Sequence, residues 1–238
     1  SYETAETYMP ATAETVVGMR EAQFIEAHRD IINYSVRVLL EQKGAVPYFA
    51  SQNIRQVTGY YDQGSYNPFF DELAWLFFST EEYSPYALRD FGLVETYMKA
   101  LGVQYVVSST KPLMVRAILD RDDPFYGKLE LVFTREDLVI LRAPWVACES
   151  FYVTGDVRLE PFPSYDVRTD EKRKLLDVWM KKYVDIAYSS AVTPIHVEYP
   201  TQEEIVLTAR AVPARAFFVV SENYDDGNWS CEVLEPRG

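Results

Sequence analysis

The run SPYALRDFGLVETYMKALGVQYVVSS, residues 84–109, constrains this chain more than any other stretch. It reads as a helix over 84–102, with Ser84 as N-cap, Pro85 in the first turn and Gly102 as the stop. The apolar VQYVVSS that follows reads as a strand over 103–109, and KPLMVRAILD as a short helix. Helix, short loop and strand in succession is the grammar of an α/β unit.

The flanking segments extend that unit. ETVVGMREAQFIEAHRDIINYS, residues 14–35, has apolar Val17, Phe24, Ile25, Ala27, Ile31 and Ile32 near three- and four-residue spacing and predicts a helix. VRVLL (36–40) reads as a buried strand, and DELAWLFFST (71–80) as a helix with one apolar face. KLELVFTREDLVILRAP predicts a hairpin with a polar turn over 134–137. Strands continue through ESFYVTGDVRLEPF. An amphipathic helix follows over 169–185, capped by Thr169 or Asp170. PIHVEYP, EEIVLTARA, ARAFFVVSE and NWSCEVL then read as strands and turns. Ile205, Leu207 and Ala209 alternate with Val206, Thr208 and Arg210, as in a sheet with one wet face. The expected fold class is α+β. An N-terminal α/β part (1–154) has a small mixed sheet and flanking helices. It packs against a C-terminal antiparallel β-sandwich-like part (155–238).

Composition narrows the function. The 238 residues are 48% hydrophobic and 25% charged, as expected for a folded globular protein. The net charge of −13 argues against nucleic acid as a partner and against docking on anionic lipid headgroups. There is no apolar run of about 18 residues that would span a bilayer. The ends, SYETAETYMP and EVLEPRG, read as those of a piece cut from a longer protein, with Ser1 a cloning remnant.

Catalytic and metal-binding signatures are sparse. The sequence has no phosphate-binding glycine loop, no GxGxxG, no GxSxG and no HExxH. His28 reads as a helix-surface or capping residue and His196 as a cross-strand partner, beside Glu198. Adjacent acids at Asp71–Glu72, Glu81–Glu82, Asp122–Asp123 and Asp225–Asp226 suit helix starts and solvated turns. DRDD (120–123) offers oxygen ligands but lacks the spacing of an EF-hand. Cys148 and Cys231 form a disulfide or stand as two separate thiols, and with two histidines they do not make a zinc site. No catalytic residue, cofactor or metal is expected.

The densest candidate binding segment is TGYYDQGSYNPFFDE, residues 58–72. In one reading it is a carbohydrate-facing groove. Tyr60, Tyr61 and Tyr66 supply rings that stack on sugar C–H surfaces, and Asp62, Gln63 and Asn67 bond hydroxyls. In the other it is an ordered loop whose aromatics cover the core, with Gly59 and Gly64 at its turns. Trp229 likewise stacks on a sugar or plugs the end of a sandwich. Two sequons, at Asn33 and Asn228, are glycosylation sites if the domain faces the outside.

Three segments together resemble a family: VRVLLEQKG followed by VTGYYDQGSYNPFF, then ALGVQYVVSS, then PTQEEIVLTARAVPARAFFVVSENYDDGNWSCEV. Their order is similar to the extracytoplasmic region of polytopic membrane proteins with GT-C glycosyltransferase-like architecture. Within these it is most like the YfhO-type proteins and the 6-pyruvoyl-tetrahydropterin-synthase-related membrane proteins. Arg37 stands in the Arg place of the family's R-V-L strand. Gly59, Tyr60 and Gly64 match its G-Y-x-x-G loop, and Gly102, Val103, Tyr105 and Val106 its L-G-V-x-Y-V-V strand. Residues 218–222 with Trp229 match its terminal segment, although Asp226-Gly227-Asn228 replaces the usual Pro-Gly before that Trp. The resemblance implies a non-catalytic domain on the extracytoplasmic face of the membrane. It would be joined to transmembrane helices of the same polypeptide and serve surface glycan or polysaccharide assembly, guiding a glycan or lipid-linked sugar. A free-standing glycan-binding or cell-surface module and a hydrolase built on a carboxylate pair are the competing expectations.

Overall fold

The computed structural model of the chain describes residues 20–32, 36–41, 55–57, 73–74, 76–80, 90–146, 150–154, 170–201, 204–210, 212–213, 215–220 and 230–232. The described residues form an α+β fold whose centre is a mixed five-stranded sheet. Its strands are β1 (Arg37–Leu40), β2 (Arg55–Gln56), β3 (Tyr105–Ser109), β4 (Glu130–Arg135) and β5 (Leu138–Arg142), in the order β2-β1-β3-β5-β4. β1 runs parallel to both β2 and β3. β3–β5 and β5–β4 are antiparallel. All four residues of β1 are buried, as a parallel strand covered on both faces requires.

Helices cover both faces of this sheet. Leu39, Val106, Val139 and Leu141 point to one side. They meet α2 (Phe91–Ala100), α3 (Leu113–Leu119), part of α4 (Asp170–Ala187) and the helical residues 73, 74 and 76–78. Val38, Leu40, Val107, Leu138 and Ile140 point to the other side, against Phe24 and Ile25 of α1 (Arg20–Glu26) and against Ile32.

The α2–β3 unit forms where the sequence places it, with one correction. The described helix starts at Phe91, where Asp90 accepts the Leu93 N–H at 3.1 Å as N-cap. Asp90 has non-helical backbone angles, so Ser84 does not cap this helix; residues 81–89 lie outside the described set. The stop is as expected. Gly102 has φ +67°, its N–H reaches Lys99 O, and the Val103 N–H reaches Met98 O at 2.8 Å. That pair of bonds is a Schellman closure, which needs a residue tolerant of left-handed backbone.

α1 ends earlier than its periodicity predicts. The His28 ring Nδ1 donates to Phe24 O at 2.6 Å, and the His28 N–H turns to Ile25 O instead. The side chain thus takes the carbonyl that the next helical turn would use, and residues 27–32 continue as turns. The β4–β5 turn narrows to Glu136 and Asp137, with Glu136 at φ +55°. β4 is an outer strand, and it carries a register shift between Leu131 and Phe133. Across this hairpin Arg142 Nε donates to Glu130 Oε2 at 2.9 Å. The hydrogen bond from Glu130, and then its charge, raise the Arg142 pKa.

The rest of the described chain makes a second sheet and a ribbon. β6 (Ser150–Thr154) pairs antiparallel with β7 (Val192–Pro194) and with β10 (Ala216–Val220). β8 (His196–Thr201) pairs with β9 (Glu204–Thr208). Of NWSCEVL, read as strand and turn, the described residues 230–232 carry no strand. α4 joins the two sheets. Leu176, Met180 and Val184 enter the core of the first, and Ala187 packs with Phe151 and Val153 of the second. The hydroxyl of fully buried Tyr97 on α2 donates to Asp177 on α4 at 2.9 Å.

Arg37 is the one buried charged side chain among the described residues. Its Nη1 donates to Leu101 O at 2.8 Å, at the carbonyl end of α2 where the helix dipole favours a cation. Arg37→Ala removes that bond and uncovers a helix-end carbonyl. We expect a loss of about 1.5–3 kcal/mol, read as a lower urea midpoint at unchanged slope. Tyr97→Phe is expected to cost about 1 kcal/mol by loss of the Asp177 bond, measured in the same way.

Candidate functional site

The parallel strands end together on one side of the sheet. The strand order β2-β1-β3 means the chain crosses from β1 to one neighbour and returns over it to the other. In open α/β sheets such a reversal leaves a crevice outside the carboxyl ends of the strands, where ligands bind. The residues at that edge are polar. Glu41 follows β1, Ser108 and Ser109 end β3, and Thr110 and Lys111 follow. The β4–β5 turn reaches the same edge, since Ser109 lies opposite Leu138 and the Thr110 N–H donates to Asp137 O at 2.7 Å.

Glu41 organises this edge. Its Oε2 accepts the Ser109 N–H at 2.5 Å and the Ser108 hydroxyl at 2.9 Å, and its Oε1 accepts the Ser109 hydroxyl at 3.1 Å. The Glu41 N–H in turn donates to Val107 O at 3.1 Å, continuing the β1–β3 ladder by one residue. The Lys111 N–H donates to Ser109 Oγ at 3.3 Å. Ser108 and Ser109 are buried, Glu41 and Asp137 half-buried and Lys111 exposed. The carboxylate accepts from both buried hydroxyls, and Ser109 O is a second acceptor for Ser108 Oγ at 3.0 Å.

This arrangement suits recognition by hydrogen bonds better than covalent chemistry. A serine nucleophile needs a base that accepts its proton and a third group that orients the base. Here the carboxylate is held by three donors, and the histidines are elsewhere. The His28 ring packs 4.0 Å from the Phe133 ring under the sheet, and His196 Nε2 lies 3.1 Å from Glu198 Oε1 on exposed β8. The serines are buried, so the group this edge can offer a polyhydroxyl ligand is the half-buried Glu41 carboxylate.

The other candidates from the sequence are placed as follows. Tyr60, Tyr61, Asp62, Gln63, Tyr66, Asn67 and Trp229 lie outside the described residues, as do the sequons at Asn33 and Asn228 and the thiol of Cys148. Cys231 is an exposed free thiol, so the disulfide alternative falls. In DRDD, Asp120 Oδ1 accepts the Asp122 N–H at 3.1 Å and Asp123 Oδ1 the Phe125 N–H at 2.9 Å, so these acids shape their own turn. Among the described residues no group of three or more His, Cys, Asp or Glu is placed to hold a metal ion.

Sequence reasoning missed Glu41, Ser108 and Ser109. The signal was two serines closing an otherwise apolar strand, YVVSS, and an acid directly after RVLL. Comparison with protein-family models, curated proteins and solved structures finds no match to this chain. Glu41→Ala takes from the Ser109 N–H and the Ser109 hydroxyl their carboxylate acceptor and leaves the Ser108 hydroxyl with Ser109 O alone, and we expect it to cost about 1–3 kcal/mol. Glu41→Gln keeps an acceptor oxygen and should cost less than Glu41→Ala. Paired urea titrations of the two variants check the order.

Proposed function

We propose that this chain is a non-catalytic extracytoplasmic domain of a multi-pass GT-C-like membrane protein. In that role it serves surface glycan or polysaccharide assembly and presents a polar and aromatic edge to a glycan or lipid-linked sugar. The observation that supports the reading most is the adjacency of the first two resemblance segments. VRVLL is β1 and GVQYVVSS is β3, and the two are adjacent parallel strands. Arg37 of the first segment bonds Leu101 O, and its N–H donates to Gln104 Oε1 at 3.3 Å. AFFVV, from the third segment, is β10.

The carboxyl edge adds chemical support. The half-buried Glu41 carboxylate offers an acceptor for hydroxyls there, and the chain leaves β2 at the same edge. The Val57 N–H donates to Val38 O at 3.0 Å, and Thr58, the first residue of the aromatic segment, follows directly. Aromatic rings beside a few fixed polar acceptors are what sugar rings bind. No helix among the described residues is long and apolar enough to cross a membrane. The spanning segments of this reading belong elsewhere in the polypeptide.

Two measurements test this. The first is retention of the chain on immobilised polysaccharides. We expect retention to fall at least tenfold in Tyr60→Ala/Tyr61→Ala, in keeping with a loss of about 1–3 kcal/mol for removed ring stacking. The second is the hydropathy of the complete coding sequence. Several apolar runs of about 20 residues are expected. Retention with a signal peptide and no such runs would turn the reading to a free-standing glycan-binding module. Turnover of a glycoside by this chain would sink it.

A further inference from the structure

We draw no further inference here: the strongest candidate, the surface patch on β10 at the edge of the second sheet where Phe217 and Phe218 are exposed, is an apolar strand edge, and nothing among the described residues shows what covers it.

Discussion

The pairing of β1 with β3 is the contact on which the other layers rest. It is fixed at both ends by side chains from β1's own boundaries. At the start, Arg37 reaches the carbonyl end of α2, and at the finish Glu41 takes the donors at the end of β3. Between them lie three buried residues, Val38, Leu39 and Leu40, each facing one helical layer or the other. A one-residue slip would exchange the two apolar sets and also pull Arg37 and Glu41 from their partners. Register is therefore set twice, by packing and by buried polar bonds, and each leaves an expensive error uncorrected if it is lost.

α4 carries the second constraint. One helix contributes Leu176 and Met180 to the core of the five-stranded sheet and Ala187 to the core beside β6. The stacked Trp179 and Tyr183 rings, 5.6 Å apart, thicken that joint, and the Tyr97–Asp177 bond fixes its azimuth against α2. β6 precedes α4 in the chain yet pairs with β7 and β10, which follow it. The two halves thus share a helix and exchange a strand.

Much of this architecture was legible in the sequence. Unbroken apolar runs gave β1, β3 and the β4–β5 hairpin, and Gly102 gave the stop of α2. The errors were at boundaries, where a local side chain overrode periodicity: Asp90 took the cap assigned to Ser84, and His28 ended α1 early. The polar edge was less legible for a different reason. Glu41 and Ser109 are 68 positions apart, and neither is unusual in its own neighbourhood. Only the strand order brings them together, and strand order is not a local property. The division of α4 into a buried and an exposed face was legible as amphipathicity.

The same long separation bears on how the molecule assembles in time. β4 and β5 close over a tight turn, and β3 joins β5 over a connection less than half as long as the one between β1 and β3. β1 joins β3 only when more than sixty residues between them have been gathered in, which is slower and entropically dearer. The antiparallel half can therefore exist before the parallel half, and the reverse order is disfavoured. Because Glu41 belongs to the late-arriving strand, the polar edge is complete only after the last strand is seated. A partly folded chain can display the serines but not their acceptor, so competence at this edge reports that folding has finished.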